Sequence, residues 1–263
     1  MQEKTRRNDH NNAAVQVLQK SIAVLECLSE YPKGLQLKDI VSKTDLNKST
    51  VYRILDTYAG FGYVMQKADG RYRLGYKLFD LTKNLLDNDL IETAKPYLDK
   101  LSVDTDQVAH LVIRDGNEGI YIDKVDMSRQ SIRLYSKIGS RLSLHCTSAG
   151  KVLLAGLPNE EAQEILSKAG LIRHTPFTMT SSEALLEDLE RVRTRGYALD
   201  DMENEENVRC VAAPIKGYMR KTIAAISVSS TILHLRTEDI PKIANMVIQC
   251  AKDISFELGC QNY

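Results

Sequence analysis

A short polar stretch near the start of the chain carries side chains suited to reading duplex DNA. Residues 48–53 place two cations, two small hydroxyls and a phenol on one side of a predicted helix: Lys48, Ser49, Thr50, Tyr52 and Arg53. An arginine can donate two hydrogen bonds to a guanine edge, small hydroxyls can reach bases or phosphates, and a helix N-terminus attracts phosphate. Ordinary solvated helix faces have similar compositions, so the neighbouring elements decide the interpretation.

Those neighbouring elements favour a helix-turn-helix. Four apolar residues at helical spacing predict an inward face for the second helix: Val51, Ile54, Leu55 and Tyr58. Asn47 can cap this helix, because an asparagine oxygen accepts a hydrogen bond from a free N–H of the first turn. Upstream, Leu37, Ile40 and Val41 mark a shorter helix, which residues 44–46 turn into the second one.

A basic hairpin is predicted directly after the second helix. Two strand-like runs flank Asp69 and Gly70, and Asp-Gly between such runs is a strong hairpin signal. Three basic residues would then lie on this wing beside the phosphate backbone: Lys67, Arg71 and Arg73. A helix pair followed at once by a basic hairpin is more specific than either part alone, and it predicts a DNA-binding head.

The charge distribution agrees with a division into domains. The 263 residues include 35 basic and 35 acidic side chains, so the formal net charge is zero. The first 75 residues hold 12 basic and 8 acidic residues, whereas the remainder holds 23 and 27. A basic head on an acidic body is expected when only the head meets nucleic acid. We predict a disordered tail at 1–13, a DNA-binding domain at 14–75, a helical linker at 76–103 and an effector-binding domain at 104–263.

Cysteine usage and hydropathy predict a cytoplasmic protein. The five cysteines are scattered without a Cys-x-x-Cys pair, which argues against a disulfide scaffold or a structural zinc site. The sequence shows no long apolar run typical of a membrane span, and its first dozen residues are polar rather than typical of a signal peptide. We expect no membrane association and no cofactor.

Helices are predicted on both sides of the DNA-binding motif. The first runs from about Ala14 to Tyr31 and ends before Pro32. Its predicted buried stripe consists of Leu18, Ile22, Leu25 and Leu28. After the wing, residues 76–87 and 90–101 are helical in pattern. They would act as a spacer or as a dimer contact, and a binder of palindromic DNA needs two heads about one helical turn apart.

The remainder of the chain predicts an α+β domain around an antiparallel sheet. Short β-rich runs separated by polar turns are predicted at 110–114, 119–123, 132–135, 210–213 and 222–229. Helical patterns occur near 149–157, 160–168, 182–195 and 238–258. Strand runs with helices in the middle and at the end are typical of this fold class.

These segments resemble the IclR family of transcriptional regulators from about Val15 to Gly259. The matching stretches are residues 46–55, 62–64, 72–75, 144–151 and 209–214. The resemblance implies a winged helix-turn-helix, a GAF-like effector domain joined to it by a helical linker, and homodimers that pair into homotetramers. Two departures stand out. Asp45 occupies a turn position that is usually Gly in the family, and residues 201–207 are more acidic than usual and lack the Gly common before the cysteine motif.

The resemblance also implies an effector pocket. Carried over position by position, its residues are Leu142, Ser148, Ala149, Asp200, Val208, Cys210, Ser227 and Ser229. Free N–H groups at the start of the helix at Ala149 would attract an anion, and hydroxyls would orient it. Ser227 and Ser229 alternate along one predicted strand and would share a face. Without the resemblance, sheet hydroxyls satisfied by their neighbours would be the better interpretation of these serines.

The expected effector is a small organic acid or sugar acid. Asp200 beside an anion is unfavourable unless it bonds a ligand hydroxyl or carries a proton, and a sugar acid offers both a carboxylate and hydroxyls. Residues 134–141 and 150–155 look most similar to family members that respond to 2-keto-3-deoxygluconate. The predicted function is a repressor of a catabolic operon that binds double-stranded operator DNA and senses such an acid.

Other functions fit parts of the sequence. Cys210 with His145 could supply a nucleophile and base in a redox-active or ligand-processing enzyme with an accessory DNA-binding head. His145, Cys146 and Cys210 could also bind zinc. A histidine beside a cysteine is more often a packed residue, and free cysteine is commonly buried as a small hydrophobe. We therefore predict no catalytic or metal-binding residues. A DNA-bound architectural protein without a ligand is a third alternative.

Overall fold

A computed structural model describes residues 15–82, 88–128, 136–260 and 263. The chain divides into two compact units, Met1–Leu85 and Leu86–Tyr263. The predicted tail at 1–13 and the predicted strand at 132–135 lie outside the described residues. In the described ranges, no helix combines the length and the apolar character that crossing a bilayer requires.

The first unit packs three helices against a hairpin. In chain order its elements are α1 (Gln16–Ser29), α2 (Leu37–Thr44), α3 (Lys48–Gly60), β1 (Val64–Gln66), β2 (Tyr72–Leu74) and the short helix α4 (Lys77–Thr82). β1 and β2 pair antiparallel, and Leu35 forms an additional bridge to Tyr72. One core joins the helices to the hairpin: Val24, Leu28, Ile40, Val51, Ile54, Leu55, Val64 and Tyr72.

The predicted buried stripe of α1 is wrong in its N-terminal half. Leu28 is buried and Leu25 is half-buried, as expected, but Leu18 and Ile22 are 58% and 53% exposed. Helical spacing predicts which residues share a face, but not how far the neighbouring elements extend along that face. Within this unit the core reaches α1 only through its C-terminal half, at Val24 and Leu28.

The second unit is built around a six-stranded antiparallel sheet with the order β5-β4-β3-β8-β7-β6. The first part contains α5 (Asn88–Thr105), β3 (Val108–Asp115), β4 (Glu118–Val125), β5 (Arg141–Ser143), α6 (Ser148–Ala155) and α7 (Asn159–Ala169). The second part contains α8 (Ser182–Arg195), β6 (Ala198–Asp201), β7 (Val208–Lys216), β8 (Thr222–Thr231), a 3-10 turn (Thr237–Asp239) and α9 (Ile240–Glu257). The predicted α+β class is confirmed, although the sequence did not predict the short strands β5 and β6.

Helices cover both faces of the sheet. Successive strand residues point to opposite faces, so each central strand serves two cores. On β7, Val211 and Ala213 pack with α5 and α9, whereas Ala212 packs with α6 and α8. The face that packs against α6 carries the candidate site described below.

Candidate functional site

Asn47 caps α3 as predicted. Its Oδ1 accepts a hydrogen bond from the Thr50 N–H at 3.3 Å and from the Thr50 hydroxyl at 2.6 Å. The residues predicted to face inward are buried at Val51, Ile54 and Leu55. Of the five predicted DNA-contacting residues on α3, four are exposed: Lys48, Ser49, Tyr52 and Arg53. Thr50 is half-buried, and its hydroxyl is engaged in the cap.

The turn between α2 and α3 contains a residue other than glycine in the left-handed backbone conformation. Asp45 has φ 55° and ψ 28°, which is the left-handed region. Aspartate tolerates this region better than most residues, because its short polar side chain can bond locally. Asp45 therefore supplies at this turn the left-handed conformation that glycine adopts most readily.

The wing is the hairpin that the Asp-Gly signal predicts. Gly70 has φ 79°, and its N–H donates to Lys67 O at 2.9 Å. Lys67 and Arg71 are exposed. Arg73 is half-buried and lies over the Tyr76 ring, 5.5 Å from the ring centroid. Two of the three predicted wing cations therefore face solvent, and the third packs on an aromatic ring.

A cavity of about 380 Å³ lies in the second unit. It is formed where β3, β4, β5, β7 and β8 meet the loops at 136–140, 174 and 204–205. Its lining residues are His110, Tyr121, Ser136, Ser140, Arg141, Leu142, Ser143, His174, Asn204, Glu205, Val208, Cys210 and Ser229. Four of them belong to the predicted effector set: Leu142, Val208, Cys210 and Ser229.

The other four predicted effector residues are buried in the same unit but do not line the cavity. Ser148 and Ala149 lie in the first turn of α6. Ser227 sits in β8 opposite His110 and Ala212. Asp200 lies in β6, opposite Cys210. Contact between these four residues and an effector stays a prediction.

Asp200 organises the acidic loop that closes the cavity. Its Oδ1 accepts hydrogen bonds from the N–H of Glu203 at 2.8 Å and from the N–H of Asn204 at 3.3 Å. Burial, followed by the nearby Glu203 carboxylate, raises the pKa of Asp200 to about 7. At such a pKa the Asp200 carboxyl group is partly protonated near neutral pH. Its repulsion of an anionic ligand would then be reduced.

His110 is a lining residue that the sequence analysis did not single out. It is 1% exposed, its Nε2 lies 2.8 Å from Ser136 Oγ, and its ring is 5.0 Å from the Tyr121 ring. Burial, with a smaller contribution from Lys124, lowers the pKa of His110 to about 3, so the imidazole is neutral. Its Nδ1 is buried without a hydrogen-bond partner among the described residues. The sequence signal that could have identified His110 is its position as a polar residue in a predicted strand that is otherwise mainly apolar.

Arg141, a second residue not singled out, already has acidic partners. Its guanidinium contacts Asp115 at 2.7 Å and Glu118 at 3.2 Å, and half of its side chain is exposed. We place Arg141 at the rim of the cavity, where its ion pairs join β5 to the ends of β3 and β4.

The proposed enzyme pair is not supported by the environment of its nucleophile. Burial raises the pKa of the Cys210 thiol well above its ordinary value, so the reactive thiolate is suppressed. The His145 Nε2 donates to the backbone oxygen of Ile172 at 2.9 Å. Within the described ranges, the residues that gather at metal-ligand distance are His145, Cys146 and His174, so His174 replaces the Cys210 of the sequence hypothesis.

Comparisons with known protein families agree with both units. The profile of the IclR helix-turn-helix domain matches residues 17–68. The profile of the C-terminal domain of bacterial IclR transcriptional regulators matches residues 82–256. These matches confirm the resemblance drawn from the sequence motifs.

Individual relatives extend over nearly the whole chain. The transcriptional regulator XynR of Escherichia coli K12 is 36% identical over 247 residues, which cover 93% of this chain and 98% of XynR. The regulator KdgR of the same organism is 36% identical over 257 residues, covering 97% of each chain. A crystal structure of an IclR homologue from Microbacterium hydrocarbonoxydans, complexed with 4-hydroxybenzoate, has a TM-score of 0.83 and 25% identity, and the match covers 92% of this chain and 98% of that one.

The two domain profiles and the full-length relatives share one function class, transcriptional regulation rather than catalysis. The chain belongs to the IclR family of ligand-responsive, DNA-binding transcriptional regulators.

Proposed function

We propose that this regulator is a repressor of a catabolic operon. We further propose that a small organic acid or sugar acid, such as 2-keto-3-deoxygluconate, controls its affinity for operator DNA. The observation that carries the proposal is the cavity of about 380 Å³ lined by Leu142, Val208, Cys210 and Ser229, four of the residues expected from the family resemblance. Its volume falls in the range of small-ligand sites.

The lining of the cavity suits a ligand that is both charged and rich in hydroxyls. Ser136, Ser140 and Ser229 offer hydroxyls, Asn204 offers an amide, and the neutral His110 offers an unpartnered ring nitrogen. Each of these groups can bond a hydroxyl or a carboxylate oxygen of the ligand. Leu142 and Val208 supply apolar walls. A purely apolar effector would leave the buried polar groups unsatisfied.

The proposed DNA contacts follow from the exposed face of α3. Arg53, Tyr52, Ser49 and Lys48 would enter the major groove with Thr50 near the helix start, and a guanine edge is the natural partner of Arg53. On the wing, Lys67 and Arg71 would contact phosphates beside Arg73. We retain the proposed domains at 14–75, 76–103 and 104–263.

The proposed mechanism is a population shift in a homodimer or a pair of dimers. Two heads bind half-sites about one helical turn apart, roughly 34 Å. A ligand that prefers one arrangement of the effector domains would change the separation of the heads through the segment that contains α4 and α5. The ligand can change operator affinity only by its own difference in affinity for the two arrangements.

A retardation experiment with the full-length protein tests this function. The protein is titrated against its own upstream promoter fragment and a scrambled fragment at low ionic strength, with and without 2-keto-3-deoxygluconate. We expect selective retardation that the acid reverses. Failure to retard the promoter under either condition would overturn the proposal, and tighter binding with the acid would refute repression relieved by that ligand.

A thermal-shift panel of sugar acids and keto acids identifies the effector. A true effector raises the melting temperature, because binding to the folded state alone stabilises it. DNA binding without a melting shift for any metabolite would favour the architectural protein.

A further inference from the structure

Three potential metal ligands gather beside the cavity. His145, Cys146 and His174 each contribute one ligand atom, and these atoms all lie within 4.8 Å of one another. We propose that these three residues bind a transition-metal ion of the Zn²⁺ class and leave a fourth coordination position open toward the cavity.

The donor set fits this class of ion. Two imidazole nitrogens and one thiolate sulfur are ligands that Zn²⁺ accepts, and three protein ligands with one open position are typical of sites that bind a further molecule. Bond lengths of about 2.0 Å to nitrogen and 2.3 Å to sulfur give tetrahedral edges of roughly 3.5 Å. The three ligand atoms lie within 4.8 Å of one another, so side-chain rotations of about an ångström or less would bring them to these separations. Binding would release the Cys146 proton to solvent.

His145 already has the hydrogen bond that metal-binding histidines require. Its Nε2–H donates to the Ile172 carbonyl oxygen at 2.9 Å, which fixes the tautomer and leaves Nδ1 as a lone-pair donor. A neutral, oriented imidazole is the form that coordinates metal.

The backbone around the site is held in place. His145 and Cys146 form the turn before α6, where Thr147 accepts a hydrogen bond from the Gly150 N–H at 3.1 Å and donates to Ser143 O at 2.6 Å. The loop that carries His174 is fixed by Thr178, which accepts from the His174 N–H at 3.0 Å. Metal affinity benefits from ligands positioned in this way, because less freedom is lost on binding.

The open position faces the cavity through residues that line both sites. His174 lines the cavity and is exposed, and the Cys146 thiol lies 3.6 Å from Asn204 Oδ1, which also lines it. An ion at this place would present a positive charge to a carboxylate in the cavity. That role toward an effector rests on the proposed function, whereas binding of the ion does not.

The metal site is tested with Co²⁺ as a spectroscopic substitute for Zn²⁺. Full-length protein freed of metal by chelation is titrated with Co²⁺, and we expect one ion per chain, a thiolate-to-cobalt charge-transfer band, and displacement by Zn²⁺. Cys146→Ser should remove the charge-transfer band. His174→Ala, a truncation at an exposed position, should weaken Co²⁺ binding at least tenfold. No charge-transfer band in the wild-type protein, or full binding by His174→Ala, would overturn the site.

Matched controls separate the site from adventitious binding. His234→Ala removes another exposed histidine of the same unit, and Cys250→Ser removes a half-buried cysteine outside the cluster. Both variants should bind Co²⁺ as the wild type does. Equal loss in a control and in its counterpart would show nonspecific binding and refute the assignment.

The open position has its own measurement. Acetate, the simplest carboxylate probe, is added to the Co²⁺-loaded protein, and the d–d bands should shift as the carboxylate enters the coordination sphere. Unchanged bands at saturating acetate would overturn the open position. The promoter retardation described above requires no added metal ion, so failure of the metal site and failure of the proposed function give different results.

Discussion

Lys151 Nζ lies 2.6 Å from Glu203 Oε1 in the interior of the second unit. The same ammonium lies 3.0 Å from Asp188 Oδ2, and only 1% of the Lys151 side chain is exposed. These contacts join α6, which Lys151 belongs to, with α8 and with the loop that carries Asn204 and Glu205 into the cavity wall. A buried cation with two acidic partners is stable only as a set, because losing one member leaves uncompensated charge in a medium of low polarity.

Replacing Lys151 should therefore be severely destabilising. Lys151→Met leaves the buried Glu203 carboxylate without its cation, while Asp188 keeps only Arg191 at 3.3 Å and Arg195 at 3.8 Å from the described residues. We expect a loss of about 3 to 5 kcal/mol in the free energy of unfolding. Urea denaturation measures it. Lys168→Met is the matched control, because Lys168 pairs with Glu164 on the surface and its loss should cost less than about 1 kcal/mol. Similar losses in the two variants would contradict the buried network.

The raised pKa of Asp200 predicts that the free energy of unfolding decreases as pH rises. Its folded-state pKa of about 7 exceeds the ordinary value of 3.8, so the folded state holds the proton more tightly than the unfolded state does. The stability from this group is complete below the ordinary value and is lost as pH rises through 7. Asp200→Asn keeps the oxygen that accepts from Glu203 and Asn204 but cannot ionise.

The melting temperature of Asp200→Asn, relative to the wild type, should therefore increase from pH 5 to pH 8. Differential scanning fluorimetry across this range measures the difference between the two proteins. A difference that is constant with pH would contradict a folded-state pKa of Asp200 above its ordinary value.

Gly150 is required by the close approach of the turn to α6. A Cβ at this position would lie 2.6 Å from the Leu144 backbone oxygen and 2.6 Å from Thr147 Oγ1. Gly150→Ala should cost about 1 to 3 kcal/mol by overpacking. Gly60→Ala is the control, since an added Cβ at this helical position meets nothing within 4 Å and should be neutral or stabilising. Thermal unfolding compares them, and a harmless Gly150→Ala would contradict the tight contact.

Arg53 and Arg71 should have different roles on DNA. Arg53→Ala should weaken operator binding by about 1 to 3 kcal/mol and relax sequence preference, because a guanidinium that reads a base contributes only on the correct sequence. Arg71→Ala should weaken binding to operator and scrambled DNA alike, since phosphates carry no sequence information. Gel-shift titrations of both variants on both fragments provide the comparison. Equal losses for Arg53→Ala on the two fragments would refute base reading.

Ser229 and Ser227 offer a test of which β8 hydroxyl contacts the effector. Ser229 lines the cavity, so Ser229→Ala should weaken effector binding about 2- to 12-fold, the equivalent of one hydrogen bond. Ser227 is buried between neighbouring strands and does not line the cavity, so Ser227→Ala should change effector affinity less. Calorimetric titration with the effector found in the thermal-shift panel measures both. A larger effect at Ser227 would restore the contact expected from the family resemblance.

Short-range signals predicted the head well. The Asn47 cap and the Asp69-Gly70 turn depend on groups within a few residues, so the local sequence contains the information that forms them. The burial of α1, in contrast, depends on elements that are distant in the sequence. Leu18 and Ile22 share a face with residues that are buried, but their exposure depends on where α2, α3 and the hairpin end. Periodicity alone cannot give that limit.

The cavity depends on contacts that are distant in the sequence. His110 on β3, Cys210 on β7 and Ser229 on β8 meet because of strand pairing, and no local pattern fixes that register. The family resemblance supplied four lining residues, whereas His110, Tyr121 and His174 emerged only from the fold. The strands β5 and β6 contain three and four residues, too few to show a clear alternation.

Two threonines couple segments that are far apart in the chain. Thr175 Oγ donates to Met202 O at 2.7 Å, and Thr178 Oγ donates to Glu203 O at 2.6 Å. Both hydroxyls are buried, so neither stretch can open without breaking bonds held by the other. The loop at 172–178 and the acidic loop therefore behave as one cooperative unit, and a protease or a hydrogen-exchange event that reaches one must first release both.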